Sequence, residues 1–218
     1  SVAAWFRAQF ESISEIQQTA LPYTLAGENT LILAPTGSGK TLAGFLSVLS
    51  QIARQASAGT LGNRIAAVYL SPLKALDNDI HRNLVPVSES INGTLPKDRQ
   101  IRIDVRTGDT AQDARARQGR TRPHLLLTTP ESLSSLLSQS MWRESAFEAG
   151  AVIVDEIHSF AENKRGSLLS LCLERLEARG ARPLQRIGIS ATAAPEQAIA
   201  KLLCGNRPCT VARSDAVS

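Results

Sequence analysis

Short apolar runs alternate with amphipathic stretches along the whole chain. The runs at residues 30–34, 65–70, 101–105, 124–128, 151–155, 184–189 and 208–212 are rich in Val, Ile and Leu. They are too short for helices, and most lack the polar alternation of a half-exposed strand. Both features predict strands buried on two faces. Between them, apolar positions recur at helical spacing over residues 40–55, 73–92, 111–118, 131–139, 166–179 and 196–203. Strand–helix alternation of this kind predicts an α/β domain, with a mainly parallel sheet flanked by helices on both faces. Residues 1–27 precede the first strand and read as helices packed on an edge of the sheet. Residues 28–212 then form one domain, and 213–218 begin a linker.

Composition narrows the class. Of 218 residues, 43% are apolar, 20% charged and 4% aromatic, which fits a globular domain and excludes intrinsic disorder. No apolar run has the length of a membrane span, so no membrane partner is expected. Cys172, Cys204 and Cys209 show no CxxC spacing. Neither a disulfide framework nor a zinc site is suggested, and a reducing cytoplasmic setting is the default. The net charge of +4 permits an anionic partner without establishing one. Residues 97–122 hold eight basic side chains against four Asp, a local excess equal to the whole chain's net charge. Among these, Arg115, Arg117, Arg120 and Arg122 either extend a phosphate path or form a solvated helix end. The chain begins at Ser1, which suggests a processed protein or a piece of a longer one.

Two segments carry chemistry. The first strand runs into Ala34-Pro-Thr-Gly-Ser-Gly-Lys-Thr41, and an apolar helix follows. A triphosphate needs closely spaced backbone N–H donors. Gly37 and Gly39 let the chain turn tightly enough to present them, together with Thr36 and Ser38. The helix N-terminus adds partial positive charge. Lys40 reaches the β- and γ-phosphates, and the Thr41 hydroxyl ligates Mg²⁺. The usual pattern opens on Gly, where this chain has Ala34. In the second segment, Ala151-Val-Ile-Val-Asp155-Glu-Ile-His158, an apolar strand stops on two carboxylates. That places both at the carboxyl edge of the sheet, beside the phosphate loop. Asp155 is then the metal-site carboxylate, and Glu156 orients and deprotonates the attacking water. Taken alone, Asp-Glu after a strand is also a common helix cap, and a lone His158 is more often structural.

Further segments each follow an apolar run: Ser71-Pro-Leu-Lys-Ala-Leu76, Thr107-Gly-Asp-Thr110, Thr128-Thr-Pro-Glu-Ser-Leu133 and Ser190-Ala-Thr192. In this order the set resembles the first RecA-like domain of superfamily-two DExH helicases, a P-loop NTPase fold, from about Trp5 to Leu203. APTGSGKT resembles motif I, SPLKAL motif Ia, TTPESL motif Ib, DEIH motif II and SAT motif III. Residues 78–84, Lys164-Arg-Gly166, Leu173-Glu-Arg-Leu176 and Gln185–Thr192 are similar to the Lhr (large helicase-related) branch. Ski2-like and other DExH RNA helicases share several of these motifs.

The resemblance implies an ATP- and Mg²⁺-dependent hydrolase that moves along single-stranded DNA or RNA. It implies that Gln17 reads the adenine edge, with Phe6 or Phe10 near the base. Ser14-Glu15 stands where the family's form carries Pro-Thr. Nucleic-acid contacts fall on Pro72, Leu73, Lys74, Thr107, Gly108, Thr129, Pro130 and Glu131. Glu131 repels phosphate and is expected to cap its helix instead. His158, Ser190 and Thr192 couple the nucleotide state to a neighbouring domain. Motifs IV, V and VI have no counterpart, so a second RecA-like domain, with its arginine finger, is expected elsewhere in a longer parent. The chain alone should bind ATP weakly, turn it over slowly and unwind nothing. For the parent, the resemblance implies 3′-to-5′ movement on DNA, DNA–DNA or RNA–DNA duplex substrates, a repair setting and nucleoid association. A non-translocating ATPase switch and a nucleic-acid-binding scaffold are the readings of another class.

Overall fold

The computed structural model describes residues 2–10, 12–72, 84–142, 146–161, 164–180, 182–191 and 195–215. Seven strands form one sheet: β1 (Thr30–Leu33), β2 (Ile65–Leu70), β3 (Ile103–Arg106), β4 (Leu125–Thr128), β5 (Phe147–Val154), β6 (Gln185–Ser190) and β7 (Thr210–Arg213). Their order across the sheet is β3-β4-β2-β5-β6-β1-β7, and every pairing is parallel. The sheet is therefore wholly parallel, one step beyond the mainly parallel expectation.

The central strands bury both faces. Ile32, Ala67, Tyr69, Leu125, Leu127, Ile153, Ile187 and Ile189 face one apolar cluster, whereas Leu31, Leu33, Val68, Leu70, Leu126, Val152 and Val154 face the other. Period-two alternation thus survives in space, although it is invisible in hydropathy because both faces are apolar. The first cluster is completed by α1 (Val2–Gln9), α2 (Glu15–Ala26), α3 (Lys40–Ala58) and α4 (Val85–Asn92). A further helix, α5 (Gln112–Arg120), links β3 to β4. The second cluster takes α6 (Pro130–Ser138), α7 (His158–Ala161), α8 (Lys164–Glu177) and α9 (Glu196–Cys204). α2 packs on α3 and against β1 and the edge strand β7, as expected for the N-terminal segment. No helix among the described residues is long and apolar enough to cross a membrane.

Several boundaries differ from the hydropathy pattern, β7 among them, which starts at Thr210 rather than 208. β3 starts at Ile103 rather than 101, because side chains capture the backbone before it. The Asn92 carboxamide accepts from Ile101 N–H (2.7 Å) and donates to Ile101 O (3.0 Å), and His124 Nδ1 accepts from Arg102 N–H (3.1 Å). β5 starts at Phe147, four residues before the expected 151, since Phe147 already pairs with Ile65 across a register shift. Gly150 interrupts the apolar run there and hides the continuity. The helix expected over residues 73–92 is seen as α4, and residues 73–83 lie outside the described residues.

Candidate functional site

Parallel strands put all their carboxyl ends on one edge, and each singled-out segment leaves from that edge. β1 runs into Ala34, β2 into Ser71, β3 into Thr107, β4 into Thr129 and β5 into Asp155, while Ser190 ends β6. Only β6 separates β1 from β5. At ~4.8 Å per strand spacing, the two chain segments leave the sheet about 10 Å apart. Backbone bonds close the gap further. Ala34 N–H donates to Ser190 O (3.2 Å) and Ile157 N–H to Ile189 O (3.0 Å), so both segments lean on the end of β6.

The loop 34–41 has the conformation its glycines predict. Gly37 (φ 88°) and Gly39 (φ 84°) both occupy the left-handed region. Thr36 and Gly37 are exposed at the crest, whereas Ser38 and Lys40 are buried. Lys40 Nζ donates to Pro35 O (3.3 Å), which folds the side chain back over the loop. Ser38 Oγ is buried without a hydrogen-bond partner among the described residues, a polar atom inside the cradle. The half-buried Thr41 lies in the first turn of α3.

Gln17 is buried, not an exposed helix residue. Its Oε1 accepts from Ser14 N–H (3.1 Å), and its Nε2 donates to Gly39 O (3.3 Å). Ser14 Oγ donates to Ser38 O (2.9 Å). The start of α2 therefore braces the phosphate loop through two side chains. Gly39 has no room to vary, since a Cβ there would stand 2.7 Å from Gln17 Nε2. Phe6 is buried and stacks on the exposed Phe10 at 4.8 Å between ring centroids.

Asp155 is buried at the end of β5. Its Oδ2 accepts from the Tyr69 hydroxyl (2.6 Å) and its Oδ1 from Glu156 N–H (2.8 Å). Those bonds fix the carboxylate plane. Glu156 has φ 47°, the one positive φ outside glycine among the described residues. Such a conformation costs about 1–2 kcal/mol in an L-residue and turns the chain sharply after the strand. The Glu156 carboxylate stays partly exposed and lies 3.4 Å from His158 Nδ1. His158 Nδ1 is also 2.9 Å from Ser190 Oγ. The DEIH segment and the end of β6 are thus joined side chain to side chain. Thr192 lies outside the described residues.

The remaining loops are preshaped. Thr107 N–H donates to Thr110 Oγ1 (2.8 Å), and Arg115 clamps the same turn by donating to Thr110 O (2.6 Å) and Gly108 O (2.5 Å). Thr129 caps α6, accepting from Ser132 N–H (3.3 Å), and Pro130 follows as its first residue. Ser71 N–H donates to Thr128 O (3.2 Å), which sets Pro72 beside the Thr129 turn. Leu73 and Lys74 lie outside the described residues.

Two expectations change here. Thr129, not Glu131, is the cap residue of α6. Glu131 instead receives Arg165 in a fork, Nε to Oε1 at 2.6 Å and Nη2 to Oε2 at 3.2 Å. Burial opposes its ionisation, but the Arg165 hydrogen bond and charge, with its own backbone N–H, outweigh that and hold the carboxyl below its ordinary value. The arginine-rich stretch divides: Arg117 and Arg120 stand exposed in the last turn of α5, whereas Arg115 and Arg122 hold loop backbone. Arg115 serves the Thr107 turn, and Arg117 pairs with Asp104 (3.1 Å). Arg122 donates to Asn63 O (3.3 Å) and Met141 O (3.2 Å). Asn63 precedes β2 and Arg122 precedes β4, so Arg122 sits at the opposite, amino edge of the sheet.

Tyr69 and Arg165 escaped the sequence reading. A tyrosine inside an apolar strand reads as core, and only its hydroxyl's partner shows otherwise. Arg165 was legible only as part of Lys164-Arg-Gly166, without a partner.

The DEAD/DEAH box helicase family model matches residues 14–200. The chain is 46% identical over 207 residues to an ATP-dependent helicase Lhr-Core of Methanothermobacter thermautotrophicus, covering 94% of this chain and 24% of that protein. It is 41% identical over 211 residues to ATP-dependent helicase Lhr-Core protein 2 of Thermococcus barophilus, again with 94% and 24% covered. The fold superposes on a Mycobacterium smegmatis helicase Lhr bound to ssDNA and AMP-PNP with a TM-score of 0.87 and 38% identity, covering 99% of this chain and 28% of that one. The chain spans about a quarter of the length of the curated relatives it matches. With its wholly parallel RecA-like sheet and these motifs at one edge, the chain belongs to the DEAD/DEAH box helicase family and is similar to the Lhr helicases.

Proposed function

We propose that this chain is the ATP-binding first motor domain of an Lhr-type, ATP-dependent nucleic-acid helicase. The observation that carries the reading is the meeting of the 34–41 loop and the Asp155–Glu156 pair at one sheet edge, with the Thr107 and Thr129 turns along the same edge. Residues 1–27 serve as the adenine-side segment, 28–212 as the motor domain and 213–218 as the start of a link to a second RecA-like domain.

In this reading the N–H groups of residues 36–41 cradle the ATP phosphates, and Lys40 leaves Pro35 O to meet them. Gln17 keeps the cradle in shape and offers its remaining amide capacity to the adenine edge. Thr41 and Asp155 supply hard oxygen donors, which fit Mg²⁺. Mg²⁺ supplies charge neutralisation at the β- and γ-phosphates. Both Asp155 oxygens are already held by protein donors, which favours contact through water. Glu156, partly exposed and turned by its positive φ, orients the attacking water and takes its proton. Pro72, Thr107, Gly108, Thr129 and Pro130 offer backbone and hydroxyl groups to strand phosphates. Such contacts carry no base information, so tracking is sequence-independent. The second domain supplies the arginine finger, worth roughly 10³–10⁵ in turnover, so this chain alone hydrolyses ATP slowly and does not unwind. We assign the whole protein to 3′-to-5′ movement on DNA in repair at the nucleoid, on DNA–DNA or RNA–DNA duplexes.

ATPase assays of the full-length protein with and without single-stranded DNA test this. The reading predicts stimulation by the strand and its loss in Lys40→Ala. ATP turnover indifferent to both the strand and the substitution overturns it.

A further inference from the structure

We propose that Arg165 is a positioning residue that transmits strand binding at the Thr129 turn to the catalytic carboxylate Glu156. The inference rests on the helicase reading above and deepens it.

The geometry begins with α6 and α8. α6 opens at the Thr129–Pro130 turn, and α8 follows the DEIH segment through α7. The two helices are strapped along their length. Arg165 forks onto Glu131, Cys172 Sγ meets Pro130 O (3.5 Å), Arg175 donates to Ser138 Oγ (3.2 Å) and Arg179 donates to Leu137 O and to Trp142 O (2.9 Å). A planar guanidinium in a two-point fork fixes both distance and orientation. The α6–α8 pair therefore responds as a unit to force on the Thr129 turn.

The other end of the unit touches the hydrolytic centre. The Arg165 guanidinium lies over the Phe160 ring, 5.0 Å from its centroid. Phe160 is fully buried in α7, which begins at His158. There is no slack between α7 and α8. A Cβ at Gly166 would stand 2.4 Å from Phe160 O, so the two backbones are already in contact. His158 in turn holds Ser190 Oγ and approaches Glu156. A shift of Glu131 thus reaches Glu156 through Arg165 and Phe160 and then along the backbone of the DEIH turn, where Phe160 N–H donates to Ile157 O (3.1 Å) and Ser159 N–H to Glu156 O (2.9 Å).

Stability does not account for the Arg165–Glu131 pair. Its side chains are 38% and 48% exposed, and pairs of that exposure contribute about 0–1 kcal/mol. A merely structural pair and a coupling pair are consequently separable by experiment. Contact chains alone do not prove coupling, and a functional readout is required.

The test uses the full-length protein. ATPase kcat is measured without nucleic acid and at saturating single-stranded DNA for wild type, Arg165→Ala and Arg165→Lys, with the strand concentration giving half stimulation. Arg165→Ala should keep the basal rate and lose roughly 3- to 30-fold of the stimulated rate, the range of mutations that modulate coupling. Half-saturation should stay within about twofold. Arg165→Lys keeps the charge but not the fork, and should recover part of the stimulation. A wild-type stimulated rate in Arg165→Ala overturns the inference alone, as does an equal loss in basal and stimulated rates. A change confined to half-saturation also overturns it, since Arg165 would then be a strand contact. A wild-type enzyme unresponsive to the strand overturns the helicase reading and this inference with it.

Discussion

Tyr69→Phe removes one buried hydroxyl at the centre of the site. The Tyr69 ring is fully buried, 4.8 Å from the Phe45 ring, and its hydroxyl donates to Asp155 Oδ2 at 2.6 Å. Phenylalanine fills the same ring volume, so the cavity term is small. What is lost is a hydrogen bond to a buried carboxylate, worth about 1.5–3 kcal/mol. In a domain of this size 1 kcal/mol moves the thermal midpoint by about 2–4 °C, so the variant should melt roughly 3–12 °C lower. The functional loss is sharper. Asp155 keeps its bond to Glu156 N–H but loses the donor on its other oxygen, so the metal-site carboxylate is held less firmly. In the full-length protein the Mg²⁺ concentration for half-maximal ATPase should rise several-fold, with strand affinity unchanged. A melt within 1 °C of wild type together with an unshifted Mg²⁺ titration would refute the reasoning.

Other substitutions test other parts of the fold. His124 is buried with both ring nitrogens engaged: Nδ1 accepts from Arg102 N–H and Nε2 faces Gly62 O at 3.0 Å. Burial first, then the charge of Arg102, pushes it down to about 4 from its ordinary 6.5. Between those values the unfolded chain binds a proton that the fold refuses, so the stability is whole above about 6.5 and declines as pH falls toward 4. Urea midpoints of wild type against His124→Gln at pH 7 and pH 5 should show about 2 kcal/mol more acid loss in wild type; parallel behaviour contradicts this. Gly39→Ala forces an L-residue to φ 84° and crowds Gln17 Nε2. It should weaken ATP binding in titration calorimetry and lower the melt by about 1–2 kcal/mol, with part of the loss recovered in Gln17→Ala. Arg186 is fully buried, with its guanidinium on Glu174 and Glu177. Arg186→Met takes the Arg186 donor from Leu203 O and leaves Glu174 and Glu177 with Arg207 as their ion-pair partner among the described residues, and should cost about 1–3 kcal/mol in chemical denaturation.

What the chain's linear order revealed was what linear order encodes. The phosphate loop and the DEIH segment are contiguous, and each follows a strand. A parallel sheet then carries both to one edge without further information. The cap of α6 was also written locally, in a Thr-Pro-Glu run before an apolar helix, but the expectation put it on Glu131 where Thr129 takes it. Interactions between distant segments were not legible. Glu131 and Arg165 are 34 positions apart, and Gln17 and Gly39 are 22 apart. No periodicity selects those partners over other exposed charges or amides. The same holds for the start of β3, where the Asn92 carboxamide replaces a ladder partner. Arg115 looked like part of a basic stretch. In fact its donors point inward at the Thr107 turn, because the first turn of α5 starts there, and Arg117 and Gln118 further along reach back to Asp104 and Val105 of β3.

Iron-directed cleavage gives the most direct test of the central claim. Fe²⁺ replaces Mg²⁺ with ATP bound to the full-length protein, and ascorbate with peroxide generates radicals at the metal. If one nucleotide site is built from both segments, ATP-dependent cuts appear near Thr41 and near Asp155 together, and both vanish in Lys40→Ala. Cutting at only one of the two segments, or cutting that ignores ATP, would contradict the account.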